Sequence, residues 1–83
     1  MIRLYTEDVN RPGIEKILDA DFPGYTIIPA QGRWKGVSEP SLVVELATAS
    51  PADAVHAAEE IKQANHQESV MVANDPNITT QFV

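Results

Sequence analysis

Apolar and polar residues alternate from Met1 to Thr6. Ile2 and Leu4 face one way and Arg3 and Tyr5 the other, the two-residue period of a half-buried strand. The period then lengthens: Ile14, Ile17, Leu18 and Phe22 recur at helical spacing, opposite Glu15, Lys16 and Asp19. Asn10 is placed to cap this first helix, and Pro12 falls in its first turn, where a missing N–H costs little. Pro23-Gly24 ends it. Tyr25 to Ala30 reads as a second strand, broken or bent at Pro29, and proline confines such a strand to a sheet edge or a bulge. Gln31 to Pro40, which holds Gly32 and Gly36, reads as a hairpin tip. Ser41 to Thr48 is the clearest strand, with Leu42, Val44 and Leu46 opposite Val43, Glu45 and Ala47.

Ser50-Pro51-Ala52-Asp53 combines an N-cap serine, a proline at the first helical position and an acidic residue three after the cap. The helix it starts runs to about Asn65, with Val55, Ala58, Ile61 and Asn65 as a stripe and Ala54 and Ala57 beside it. Glu68 to Ala73 is a fourth strand with Val70 and Val72 inward, Asn74-Asp75-Pro76-Asn77 turns the chain, and Ile78 to Val83 alternates again. The order predicts an α+β class: a ferredoxin-like βαββαβ antiparallel sheet, two helices on one face, and a short extra C-terminal strand. Residues 1–83 form one domain with no internal repeat.

Composition narrows the picture. The chain has 83 residues, 43% of them hydrophobic and 22% charged, which suits a globular domain. A net charge of -6 argues against nucleic acid and anionic membrane, where Lys and Arg dominate affinity. Without cysteine there is no disulfide framework, thiol nucleophile or zinc-thiolate site. No transmembrane span or signal-peptide core is present, so a cytoplasmic location is expected, with no cofactor and no metal.

Two helices leave the other face of the sheet open. The alternation puts Arg3, Tyr5, Val43, Glu45, Ala47, Ser69, Met71 and Ala73 there, with Arg3 and Glu45 able to pair. So mixed a face points to self-association, because a domain of this size buries only about 60% of its unfolded surface. A homo-oligomer is expected, with Arg3, Tyr5, Val43, Glu45 and Met71 at its interface and the tail strand available to a neighbour's sheet edge.

The segment with most chemistry is Gln31-Gly32-Arg33-Trp34-Lys35-Gly36, where two of the six basic residues flank the single tryptophan. Arg offers a fork for carboxylate or phosphate and Trp a stacking platform, so Gln31, Arg33, Trp34 and Lys35 are the candidate ligand residues. The alternative folds Trp34 back over the sheet end as core and leaves Arg33 and Lys35 solvated. The segment lacks the length and ending of a phosphate loop. His56 and His66, ten residues apart, match no common metal spacing and read as a solvated helix residue and a C-terminal capping charge. Glu39, Glu45 and Glu68 are carboxylates near strand ends or on the sheet, with no spacing that pairs them. No catalytic nucleophile is marked.

The residues Phe22-Pro23-Gly24-Tyr25-Thr26, Ala30-Gln31-Gly32-Arg33-Trp34, Glu39, Ser41 and Gln67-Glu68-Ser69-Val70 resemble a family of small uncharacterised bacterial ferredoxin-like domains. That resemblance implies the order of strands and helices and carries no activity. In topology and in its glycine-flanked basic loop, the chain is also similar to PII-like signalling proteins. Those are trimers that bind anionic small molecules between subunits; this chain has a shorter loop and lacks their motif residues. The start Tyr5-Thr6-Glu7-Asp8, followed by Asn10-Arg11, resembles small proteins of phages and mobile elements.

The function expected from these observations is a non-enzymatic binding or regulatory module. It self-associates through the open face and presents the basic-aromatic hairpin to an anionic small molecule or a partner protein. Two alternatives remain: a phage-type inhibitor of a host protein or signalling molecule, and a small enzyme with an intersubunit pocket using Glu68, Glu45 or His56.

Overall fold

The computed structural model describes residues 2–47 and 50–74, and the backbone of 79–82. Its elements are β1 (Ile2–Glu7), α1 (Arg11–Asp21), β2 (Tyr25–Trp34), β3 (Val37–Leu46), α2 (Pro51–Ala64), β4 (Met71–Asn74) and β5 (Thr79–Phe82). The strands lie in the order β2-β3-β1-β4-β5, every neighbouring pair antiparallel. This is the βαββαβ ferredoxin-like arrangement with an added terminal strand. β5 pairs with the chain's own β4. Met1, Thr48, Asp75-Pro76-Asn77, Ile78 and Val83 lie outside the described residues.

One side of β1, β3 and β4 and one stripe of each helix make the core, with Tyr25 and Ile27 of β2 packed partly against it. Ile2 and Leu4 on β1, Leu42, Val44 and Leu46 on β3, and Val70 and Val72 meet Ile14, Leu18 and Phe22 from α1. From α2 come Ala54, Ala57, Ala58 and Ile61. That stripe is centred on the alanines, with Val55 and Asn65 at its margin, because alanine lets the helix axis approach the sheet. Ser50 caps α2 as expected, its hydroxyl accepting from Asp53 N at 3.3 Å.

Asn10 behaves differently from its expected cap. It sits in the left-handed region (φ 54) and makes no side-chain cap bond. Its carbonyl accepts from Gly13 and Ile14, while its side-chain amide donates to Asn65 Oδ1 at 3.3 Å. Asn65 in turn donates to Val9 O at 3.0 Å, so the pair ties the start of α1 to the end of α2. Tyr25 fixes the other end of α1 by donating to Asp19 at 2.6 Å, and chiefly through that bond its phenol is pushed up to about 12.

The largest departure from the sequence reading is the hairpin. Gln31 to Pro40 is paired strand for most of its length: β2 and β3 run on to Trp34↔Val37, and Pro29 lies within β2 opposite Leu42. β2 is an edge strand, which is where proline is tolerated. The turn is only Lys35-Gly36, with φ of 51° and 79°, the two-residue geometry with positive φ at both positions that matches strand twist. β1 accompanies β3 only over Ser41 to Leu46. Beyond Ser41 no third strand among the described residues pairs with the hairpin, which continues as a two-stranded arm. β4 also begins later than expected, at Met71, so Glu68 and Ser69 belong to the α2–β4 connection.

Candidate functional site

The arm, the end of β1 and the α2–β4 connection enclose a cleft of about 370 Å3 on the open side of the sheet. Strand register builds its floor. Ile28 lies opposite Val43, Val43 opposite Tyr5, and Tyr5 opposite Met71, an apolar row across four strands. Tyr5, Val43 and Met71 of this row line the cleft. The next row carries Glu45, Arg3 and Ala73, and there the expected pair forms: Arg3 Nε donates to Glu45 at 2.9 Å.

The arm supplies one wall through Ala30, Gln31, Gly32, Arg33 and Trp34, with Glu39 from its returning strand. Gly32 keeps this wall thin, since a methyl there would run into the Ser41 side chain. Trp34 is neither core nor free loop: it ends β2 with 39% of its surface exposed. Its indole Nε1 donates to Glu68 at 2.9 Å, and Lys35 Nζ donates to the same carboxylate at 2.6 Å. The arm tip is thereby latched to the connection after α2. These two donors, Lys35 first, hold the Glu68 carboxyl below its usual range.

A depressed carboxylate stabilises above its ordinary value of 4.5 and loses that contribution as pH falls through its lower native value. Trp34, the only tryptophan, reports the event. Its fluorescence is expected to titrate with a midpoint below 4.5, and that transition should vanish in Glu68→Gln. A midpoint at or above 4.5 would mean the latch does not hold in solution.

The opposite wall depends on how α2 ends. His66 takes the left-handed conformation (φ 54), His66 N donates to Gln63 O and Gln67 N donates to Lys62 O at 3.0 Å. This is a Schellman stop with histidine where glycine is usual. It turns the chain so that Gln67 runs under the end of β1. Gln67 Oε1 accepts from Thr6 Oγ1 at 2.9 Å and from Glu7 N at 3.1 Å. Gln67 is 7% exposed, and its Nε2 is buried with no hydrogen-bond partner among the described residues.

The charges in the cleft differ from those expected of the hairpin. Glu7, Glu39 and Glu68 line it against the single guanidinium of Arg33. Arg33 is bound within the arm, donating to Ser38 Oγ at 3.0 Å and Gly36 O at 2.9 Å, and Lys35 is bound to Glu68. Desolvation, and then the neighbouring Glu7, push the Glu39 carboxyl up from its usual range. Of the candidate ligand residues, Gln31, Arg33 and Trp34 line the cleft; Lys35 acts from its rim. Of the expected interface residues, Tyr5, Val43 and Met71 form the floor, and Arg3 and Glu45 sit beside it.

Thr6, Glu7 and Gln67 enter the sequence reading only as residues of the resemblances and not as site residues, because the contacts joining them span some 60 residues. His56 lies away from this site on α2, its Nε2 2.9 Å from Glu60, and with Asp21 these three groups have ligand atoms within 4.8 Å of one another. Among the described residues no helix is long and apolar enough to cross a membrane.

No protein-family model matches the sequence, and no curated protein matches it, so the family resemblance rests on its motif residues alone. Among solved structures the fold is similar to that of a phage SAM lyase in its apo state. The TM-score is 0.63 at 16% sequence identity, covering 96% of this chain and 82% of that one. At that identity the likeness speaks for the fold.

Proposed function

We propose that this domain binds a small, positively charged nucleoside-like ligand in the cleft, with an S-adenosyl sulfonium compound, the class of S-adenosylmethionine, as the best match. The observation that carries this reading is the sign of the cleft: the Glu7 and Glu39 carboxylates, with Glu68 paired to Lys35 at the rim, face one internally bound guanidinium around Tyr5, Trp34 and Met71. A sulfonium gains from carboxylates and from aromatic faces, and a nucleobase gains from stacking. The volume lies in the range of about 300–1,000 Å3 common for small-molecule sites. The likeness to a phage SAM lyase supports the same ligand class and the phage setting that the segment from Tyr5 to Arg11 suggests. This reading keeps the binding module and replaces its anionic ligand with a cationic one. Self-association across the rest of the open face belongs to the same proposal.

Calorimetry with three ligands tests it. S-adenosylmethionine should bind, S-adenosylhomocysteine, which lacks only the methyl and the charge, should bind at least about tenfold more weakly, and ATP should not bind. ATP binding tighter than S-adenosylmethionine would overturn the cationic reading and restore the anionic one.

Glu39 favours a second reading, cleavage of the bound sulfonium. A carboxylate raised above its ordinary range inside a cleft is a stronger base than its exposed counterparts. In such a step Glu39 takes a proton from the carbon next to the one bound to sulfur. The C–H pair becomes the second bond of a carbon–carbon double bond, the C–S bond breaks, and sulfur leaves with the C–S pair as a neutral thioether. Mass spectrometry of an S-adenosylmethionine incubation reads it directly: methylthioadenosine lost in Glu39→Gln supports cleavage, and intact ligand leaves binding alone.

A further inference from the structure

We infer that Asp21, His56 and Glu60 form a three-ligand site for a divalent ion of the zinc class, bridging the end of α1 and the middle of α2. The site lies in the helix layer and shares no residue with the cleft, so it is independent of the function proposed there.

The two helices bring the three side chains together for separate reasons. His56 and Glu60 stand one turn apart on α2 and share a face, with Nε2 2.9 Å from Oε1. Asp21 is the last residue of α1. The point where α1 stops is set by Phe22, which is buried in the core and whose N–H donates to Leu18 O. Ile14 and Leu18 of α1 share that core with Ala54, Ala57, Ala58 and Ile61 of α2, which holds one helix against the other. One ligand atom from each of the three residues consequently lies within 4.8 Å of the other two. Zinc bonds of about 2.0–2.2 Å in a tetrahedron put ligand atoms roughly 3.4 Å apart. The His56–Glu60 gap is shorter than this and the outer limit longer, so small side-chain rotations complete the shell.

An exposed His–Glu pair at helical spacing carries little by itself. The carboxylate from the second helix changes the balance. Among the described residues neither Asp21 nor Glu60 pairs with a lysine or arginine. The last turn of α1 also has no basic residue to meet its negative end. Two carboxylates and a neutral imidazole sum to a charge that one divalent cation cancels. The donor set then selects the cation: an imidazole nitrogen with two oxygens suits zinc and its neighbours, whereas calcium takes about six to eight oxygens. On binding, the metal takes the place of the proton between His56 and Glu60, which leaves to solvent, and water completes the coordination. The His56 side chain is 67% exposed and that of Glu60 42%, so the ion has an open path in. The spacing of His56 and His66 gave no sign of this, because the site uses one histidine and takes its third ligand from the other helix.

Zinc chloride titrated calorimetrically into the whole, untagged chain should bind as one ion per chain. His56→Ala and Asp21→Asn should each weaken that binding at least about tenfold. His66→Gly suits the left-handed backbone at that position, removes the other imidazole, and should bind zinc as the original does. Zinc at about a hundred times its dissociation constant should raise the melting temperature by about 10 °C or more. At the same zinc concentration Asp21→Asn should lose about half of that shift. None of the three ligands belongs to the core, so these variants keep the fold. Full affinity in His56→Ala overturns the site, as does loss of binding in His66→Gly. Loss in Glu39→Gln with full binding in His56→Ala places the ion in the cleft and overturns it equally. Binding weakened by His56→Ala but untouched by Asp21→Asn refutes the bridge between the helices, and no zinc binding at all refutes the whole inference.

Discussion

Leu4→Ala should lower the stability of the domain by about 3 kcal/mol, within the ~2–5 kcal/mol typical of fully buried leucines. Leu4 has no exposed surface and sits in β1, between Val44 on β3 and Val72 on β4. It is held from both sides in the sheet and covered by the helices, so the neighbours cannot collapse into the space a methyl leaves. A chain of this length is stable by about 4–12 kcal/mol, so the loss is a quarter of the total or more. Urea denaturation reads it as a lower midpoint at unchanged slope. Val37→Ala is the control: Val37 is 65% exposed on the arm and should shift the midpoint very little. A loss under about 1 kcal/mol at Leu4 would contradict the close packing described for β1.

Trp34→Ala should weaken binding of S-adenosylmethionine by about tenfold to a hundredfold, matching the ~1–3 kcal/mol carried by one stacking aromatic. The substitution removes a wall of the cleft and one of the two donors to Glu68. Trp34→Phe separates these roles, because it keeps an aromatic face and loses the indole N–H. If the ring dominates, the Phe variant binds nearly as well as the original; if the latch dominates, both variants are equally weak. Neither change should move the melting temperature much, because Trp34 is outside the core. Unchanged affinity in Trp34→Ala would place the ligand elsewhere.

The parts of this structure legible in the sequence are those set by local periodicity. The alternation of Ile2, Leu4, Leu42, Val44 and Leu46 separated the two faces correctly, and with the faces came the Arg3–Glu45 pair. The Ser50 cap and Pro51 marked the start of α2 because both act within one turn. The arm was not legible in the same way. Glycine and proline within Gln31 to Pro40 look like loop, and only pairing between β2 and β3 keeps that stretch extended. His66 was read as a charge near a helix end, whereas its left-handed backbone is what sets Gln67 in position. The partners of the two hairpin cations were hidden for a related reason. Arg33 and Lys35 stood out in an acidic chain, but the acceptors that occupy them are Gly36 O and Ser38 within the arm and Glu68 across the cleft.

The platform and the arm answer to different constraints. Within residues 31–40, Gln31, Gly32, Arg33, Trp34 and Glu39 line the cleft, and none of the segment belongs to the core. Changes there can alter what the cleft accepts while the melting point stays nearly fixed, so the arm is free to diversify. Residues 2–6 and 41–46 have no such freedom, because alternate side chains serve the core and the open face at once. A library randomised over the cleft-lining side chains Gln31, Arg33, Trp34 and Glu39, with Gly32 and the Lys35-Gly36 turn kept, would therefore explore ligand choice on a scaffold that stays folded, much as variable loops do on a rigid framework.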